Sequence, residues 1–187
     1  MVNRETALSA QYQTGHFGLA DVTGVTLSEV KNLKLMQVAA WPDTVSSIGA
    51  KLATVAGCSD APAPGRNTRG SNGILVRIEP LKWWLLGSNE LPDISSVEGA
   101  TLDVSHSRTC VRIEGSNATD LLNRFLPIDL REHAFSDGAV ASTAFHHVGV
   151  TLIRSGTAYE LFIPRGFALS LWEMLTDSAE QFGLEVI

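Results

Sequence analysis

The run Val148-Gly149-Val150-Thr151-Leu152-Ile153-Arg154-Ser155-Gly156-Thr157-Ala158-Tyr159-Glu160-Leu161-Phe162-Ile163 decides the fold. Val148, Val150 and Leu152 alternate, as do Tyr159, Leu161 and Ile163, and Ser155-Gly156 supplies the turn, so the spacing predicts a β-hairpin. Beyond it, Ala168, Leu171, Trp172, Leu175, Ala179 and Phe182 recur every three or four residues, which predicts a long amphipathic helix. Gly183 stops that helix and leaves Leu184 to Ile187 for a short last strand. Upstream, Thr109, Val111 and Ile113 alternate as a strand. Gly115 then turns the chain, Ser116 is placed to cap, and Ala118, Leu121, Leu122 and Phe125 form a helical stripe.

The first half repeats this order. Leu33, Leu35 and the run to Ala40 read as a strand ended by Trp41-Pro42. Asp43 or Thr44 can cap a helix whose buried face is Val45, Ile48, Leu52 and Val55, with Gly57 as the stop. Ser59 to Gly73 is rich in breakers and poor in apolar residues, so it reads as a surface loop. Ile74, Val76 and Ile78 form a strand, Pro80 breaks it, and Leu81 to Leu86 pairs back as a hairpin. Adjacent strand residues face opposite ways, so one of Trp83 and Trp84 enters the core. The other is a candidate contact, unless both faces of the strand are covered within the protein.

Strand, helix, strand, strand, repeated twice, predicts an α+β fold of two packed split-βαβ (ferredoxin-like) units with antiparallel sheets. The boundaries drawn from sequence are residues 1–24 as an N-terminal extension, 25–98 as the first unit and 99–187 as the second. The two units are halves of one compact domain.

Composition narrows the function. A chain of 187 residues, 44% hydrophobic, is long enough to bury a core. Its formal charge of −6, with charges mixed along the chain, speaks against nucleic acid as a partner. No apolar run approaches the roughly 20 residues that span a bilayer, and the first twenty residues carry no signal-peptide centre. A cytoplasmic protein with no membrane partner is expected. Cys58 and Cys110 belong to no CxxC or CxxH pattern and read as reduced thiols.

Four polar clusters stand at the ends of the predicted elements of the second half, where a fold exposes residues for recognition. In the first, Asp103, His106 and Arg108 offer a carboxylate, a base and a cation. No nucleophile elbow accompanies them, and the plainer reading has Asp103 or Ser105 satisfying backbone groups while Arg108 pairs with a carboxylate. In the second, Asn123-Arg124 closes a helix, where Arg124 either caps carbonyls or pairs with Asp129. In the third, His146-His147 reads as two strand residues, one buried and hydrogen-bonded and one on the surface. Opposite faces do not suit shared ligation of a metal. Pro164-Arg165-Gly166-Phe167 is the fourth. The Gly65-Arg66-Asn67-Thr68-Arg69-Gly70 loop is a weak anion signal, and neither a P-loop nor a GxGxxG follows any strand. The residues singled out as interface or ligand contacts are His106, Arg108, Asn123, Arg124, Asp129, His146, His147 and Arg165. None is assigned a catalytic role.

The order of these clusters resembles the gamma subunit of heterotetrameric sarcosine oxidase, a small relative of the folate-dependent aminomethyltransferases such as the glycine cleavage T-protein. Leu102-Asp103-Val104-Ser105-His106 is similar to an Asp-Val-Ser-His stretch of the transferases, and Leu121-Leu122 to Asp129-Leu130 is similar to their Phe-Leu…Asn-Asp-Val segment. Where the transferases place an acidic pair that works at the folate-bound substrate, this chain has Val150-Thr151. A hydroxyl cannot replace a carboxylate that orients or accepts a proton from an amine. His146-His147-Val148-Gly149-Val150 and Pro164-Arg165-Gly166-Phe167 resemble the gamma subunit instead.

The resemblance implies an aminomethyltransferase-like folate-binding fold in a hetero-oligomer with alpha, beta and delta subunits. That assembly serves sarcosine catabolism and one-carbon metabolism, oxidising sarcosine to glycine, formaldehyde or methylenetetrahydrofolate, and hydrogen peroxide. It implies that FAD, FMN, NAD, zinc and tetrahydrofolate belong to the other subunits, with no cofactor in this one. The alternative is a stand-alone folate-binding transferase with Asp103 or Asp129 as its acidic residue.

Overall fold

The computed structural model describes residues 5–19, 21–88 and 90–187. Among them the elements run β1 (Gly15–Phe17), β2 (Val25–Glu29), β3 (Leu35–Ala40), α1 (Val45–Ala56), β4 (Arg66–Arg69), β5 (Ile74–Glu79), β6 (Lys82–Leu86), β7 (Gly99–Asp103), β8 (Arg108–Glu114), α2 (Ala118–Leu122), β9 (Val140–Phe145), β10 (Val148–Ser155), β11 (Ala158–Pro164), α3 (Ala168–Ala179) and β12 (Leu184–Val186). The chain divides into two units. One is Met1–Lys31, Ser107–Asp137 and Ser142–Ile187, and the other is Asn32–His106 with Gly138–Ala141.

The first unit is built on a seven-stranded sheet of order β1-β12-β2-β8-β11-β10-β9. The hairpin foreseen at Val148 to Ile163 is β10 and β11, in register from Thr151 opposite Phe162 to Ser155 opposite Ala158. β11 in turn pairs antiparallel with β8. β8 and β10 therefore run parallel with β11 between them, and α2 lies in the connection, which is a split βαβ unit. α3 makes the second such connection, from β11 to β12. β2 is inserted between β12 and β8, parallel to the former and antiparallel to the latter. Val111, Ile113, Leu152, Leu161, Phe162, Ile163 and Leu175 are all within 1% of complete burial. Each such side chain contributes roughly 1.5–3 kcal/mol through removal from water.

The second unit carries a five-stranded sheet of order β4-β5-β6-β3-β7. β3 and β5 are parallel with β6 between them, and α1 crosses from one to the other, giving another split βαβ. α1 covers the face formed by Val38, Ala40, Leu75, Trp83 and Leu85 with Ile48, Leu52, Ala53 and Ala56. Gly57 ends the helix at φ +72°, where its N–H reaches the Thr54 carbonyl at 3.1 Å and the Cys58 N–H reaches Ala53 at 2.8 Å. This is the Schellman pattern, which favours glycine for its positive φ.

Several sequence expectations are corrected. The stretch 59–73 is not all loop, since Arg66 to Arg69 form β4 on the edge of β5. Its polar composition hid a strand that is half-exposed and held by ladder bonds. Trp83 and Trp84 are both buried, at 1% and 2% exposure, so neither is a free contact. Trp83 packs under α1, and Trp84, on the opposite face, donates from Nε1 to Gln37 Oε1 at 3.2 Å. α2 stops at Leu122 and passes into turns before Pro127, and Asn117, not Ser116, holds its N-cap position. α3 ends at Ala179, and Glu180–Phe182 tighten into a 3₁₀ turn before Gly183.

The boundaries differ too. β2 was assigned with the first half but pairs with β8 and β12, while β7 was assigned with the second half and pairs with β3. Strand pairing between distant segments overrides chain order. The stretch read as an extension contributes β1 and the fully buried Leu8 to the first unit. Residues 1–4 and 20 of that stretch, and residue 89, lie outside the described residues.

Candidate interface and ligand residues

The end of β11 and the start of β8 bring Arg165 and Arg108 together. Pro164 lies opposite Arg108, and the Arg165 N–H donates to the Ser107 carbonyl at 3.0 Å. The Arg165 guanidinium reaches the Glu5 carbonyl at 2.8 Å, and Arg108 donates to Ser107 O at 3.2 Å. Arg108 is half-buried, and that burial lowers the pKa of its guanidinium. Glu29, at the end of β2, belongs to the same neighbourhood. Burial pushes its carboxyl up, while a hydrogen bond to Thr6 and the charges of Lys31 and Arg165 pull it down.

His146 and His147 are not strand residues. They form the two-residue turn between β9 and β10, and both are exposed, so the expected division into buried and exposed partners does not occur. His146 adopts φ +53°, an uncommon conformation for a side chain with a Cβ. Its ring sits edge-on to Phe125 and Phe145, with both centroids at 5.7 Å, and those two rings stack at 4.5 Å. The aromatic trio fastens the exit of α2 to the turn.

Asn123 and Arg124 occupy that exit. The Asn123 N–H donates to the Thr119 carbonyl at 3.0 Å. Arg124 does not pair with Asp129. It reaches Gln181 at 2.8 Å and Ser178 at 3.3 Å, and its guanidinium lies 4.8 Å from the Phe182 ring centroid. Asp129 is held by Arg131, with contacts from 2.6 to 3.1 Å, and His133 stands 3.7 Å away. The Arg131 hydrogen bonds keep the Asp129 carboxyl well below the usual carboxylate range. Arg131 wins because it lies two residues from Asp129, whereas Arg124 is drawn to the end of α3.

At the first cluster, Asp103 and Ser105 serve the backbone. The Ser105 N–H donates to Asp103 Oδ1 at 2.9 Å, and Ser105 Oγ accepts from the Leu35 N–H at 2.9 Å. His106 is exposed beyond them and belongs to the second unit, whereas Arg108 belongs to the first. Val150 and Thr151, which the sequence resemblance sets against the transferases' acidic pair, are buried in β10 at 4% and 7% exposure. Among the described residues no group of three or more His, Cys, Asp or Glu side chains gathers as metal ligands. Nor is any helix long and apolar enough to cross a membrane. Cys58 and Cys110 are free thiols, and burial pushes both pKa values up, Cys110 furthest.

One concavity escaped the sequence reading. A cleft of about 410 Å³ in the first unit has Trp172, Leu184 and Val186 in its floor and Glu173, Asp177 and Glu180 on its rim. The spacing of those three acids is visible in the sequence, but three carboxylates on one helix face read as a solvated surface.

No family model and no curated protein matches the sequence. Solved structures do match. The chain is similar to a chain of the heterotetrameric sarcosine oxidase from Corynebacterium sp. U-96 in complex with pyrrole 2-carboxylate, with a TM-score of 0.76 and 21% identity over 96% of each chain. It is also similar to the glycine cleavage system aminomethyltransferase T from Bartonella henselae, with a TM-score of 0.62 and 18% identity over 89% of this chain and 48% of that one. The fold is thus the aminomethyltransferase-like α+β fold, consistent with its two largely antiparallel sheets and few helices. The match covers nearly the full length of the sarcosine oxidase chain and about half the length of the transferase.

Proposed function

We propose that this chain is the non-catalytic gamma subunit of a heterotetrameric sarcosine oxidase, which it joins with alpha, beta and delta subunits in the cytoplasm. The observation that carries the reading is the match over 96% of both chains to a chain of such an oxidase, set against 48% of a free-standing aminomethyltransferase. The burial of Val150 and Thr151 supports it, because no carboxylate faces a substrate from that position. In this reading FAD, FMN, NAD, zinc and tetrahydrofolate are held by the other subunits. The assembly oxidises sarcosine with oxygen and water to glycine, formaldehyde and hydrogen peroxide, or passes the one-carbon unit to tetrahydrofolate. This subunit supports the assembly.

The test is co-expression with candidate alpha, beta and delta subunits. A yellow complex that contains the chain and produces peroxide from sarcosine is expected, while the isolated chain is colourless and inactive. A micromolar or tighter tetrahydrofolate site on the isolated chain, measured by calorimetry, would instead establish the stand-alone transferase.

A further inference from the structure

Asn72-Gly73 is the one Asn-Gly pair of the sequence, and it stands at the tip of the hairpin formed by β4 and β5. The ladder closes with Arg69 opposite Ile74, and beyond it the Gly70 N–H donates to the Gly73 carbonyl at 2.9 Å. Ser71 and Asn72 are the two residues of the loop, and both are exposed. A Cβ at position 73 would stand 2.6 Å from the Leu86 carbonyl oxygen, so this approach of two backbones requires glycine. The fold thereby sets a backbone nitrogen without a shielding side chain directly after an exposed asparagine.

The same loop fastens the end of α1. The Asn72 N–H donates to the Ala56 carbonyl at 3.0 Å, Asn72 Nδ2 to the Val55 carbonyl at 3.4 Å, and the Ser71 N–H to the Gly57 carbonyl at 3.4 Å. These are carbonyls that a helix end leaves without partners of its own, and the last turn of α1 contains no basic residue. The side chain of Asn72 is also set for reaction. Ser71 Oγ donates to Asn72 Oδ1 at 3.1 Å, which draws electron density from the side-chain carbonyl, while Nδ2 is held only by its long bond to Val55. Among the described residues the Gly73 N–H donates no hydrogen bond. A cleft of about 330 Å³, lined by Val55, Asn72, Gly87, Ser88 and Glu90, has room for water at this point.

We propose that Asn72 is a self-modifying site, at which the chain deamidates itself and loosens the end of α1, independently of any partner. The Gly73 nitrogen loses its proton and attacks Asn72 Cγ, forming a new C–N bond and a five-membered succinimide. The Cγ–Nδ2 bond breaks, and the amide nitrogen takes up a proton and leaves as ammonia. Water then adds to one of the two imide carbonyls and breaks one C–N bond, which leaves aspartate or isoaspartate. The net change is amide plus water to carboxylic acid plus ammonia, with nothing oxidised or reduced. In the aspartate product a carboxylate replaces the donor to the Val55 carbonyl, at the negative end of the helix dipole. The isoaspartate product also adds a methylene to the main chain and displaces the loop from Ala56.

The experiment incubates the purified full chain at physiological temperature and pH beside a synthetic peptide of residues 70–77. Trypsin, cutting after Arg69 and Arg77, releases the same segment from the chain. Mass spectrometry reads a gain of one mass unit, and isoaspartyl methyltransferase labels the rearranged product. We expect the folded chain to convert as fast as the peptide, or slower by no more than about fivefold, the margin of one ordinary hydrogen bond. Slower conversion, or none, overturns the site. Asn72→Gln, which closes a larger ring, should show no gain over the same period, and an equal gain in that variant also overturns the site. Ser71→Ala should convert about fivefold more slowly than the native chain through the lost hydrogen bond. A native rate in this variant overturns the part given to the hydroxyl. Asn72→Asp should melt about 2–4 °C below the native chain. A native melting temperature would mean that deamidation leaves α1 fastened, and overturns the loosening.

Discussion

The ring of Tyr12 stacks on the indole of Trp172 with centroids 5.2 Å apart and planes inclined by 26°, which fastens the N-terminal segment to α3. The Tyr12 hydroxyl accepts from the Glu29 N–H at 3.0 Å and donates to the Ile187 carbonyl. One side chain thus ties the N-terminal segment, the end of β2 and the chain terminus. Tyr12→Phe should cost about 1 kcal/mol through the lost bonds. In a double-mutant cycle with Trp172, Tyr12→Ala should show a coupling of about 1 kcal/mol. Urea unfolding measures both, and additive effects would mean that the stack carries no energy.

The candidate contacts divide by what each side chain touches. His147 is exposed in its turn, so His147→Ala should leave the melting temperature of the free chain unchanged. Arg124→Ala and Arg165→Ala remove exposed bonds to Gln181 and to the Glu5 carbonyl, and each should cost under about 1 kcal/mol. If the gamma-subunit proposal holds, recovery of each variant with the co-expressed candidate subunits, measured beside thermal unfolding, should fall for at least two of the three. Recovery equal to the native chain for all three would place the interface elsewhere.

His16 makes the fold sensitive to pH. Its ring contacts the Leu19 carbonyl at 2.6 Å and Glu185 at 3.2 Å, and these partners raise its pKa above the ordinary 6.5, the carbonyl most. A raised pKa means that the folded chain holds the proton more tightly than the unfolded one. The stabilisation is therefore complete below pH 6.5 and is lost as pH rises through the higher folded value. His16→Gln should remove this part of the stability profile, and titration of the ring by NMR should give a midpoint above 6.5. A midpoint at or below 6.5 would contradict the geometry.

The parts of the fold legible in the sequence are those in which one chain segment sets its own pattern. β8, β10, β11 and the buried faces of α1 and α3 show their periods directly. β2, β4 and β7 do not, because their places depend on partners far along the chain. Asp43 or Thr44 was foreseen as a cap, and Thr44 takes the position, yet its hydroxyl faces the Glu98 carbonyl at 2.5 Å instead of a helix amide. His146-His147 was misread for a related reason. Neither residue signals a turn, and His146 reaches positive φ where its ring packs against Phe125 and Phe145. Arg124 and Asp129 were near enough in sequence to suggest a pair, but α3 and Arg131 supply better-placed partners. Sequence marked the element ends as the polar places, while the engagement of each side chain was decided by contacts that only the fold creates.

Thr151, which the sequence resemblance sets with Val150 against the transferases' acidic pair, is buried in β10. Its 7% exposure means that a carboxylate there would lose most of its hydration. Burial of an unpaired charge costs several kcal/mol, or the group stays neutral with a raised pKa. Thr151→Asp should therefore lower stability by about 3 kcal/mol or more, and by less at acid pH, where the carboxyl is protonated in both states. It should create no tetrahydrofolate site, because the side chain faces the interior of the protein. Thr151→Val serves as the control for loss of the hydroxyl and should cost about 1 kcal/mol or less. Urea unfolding across pH, with calorimetry against tetrahydrofolate, distinguishes the outcomes. A Thr151→Asp chain of native stability that binds tetrahydrofolate at micromolar concentration would show that β10 presents this position to a ligand, and would restore the transferase reading.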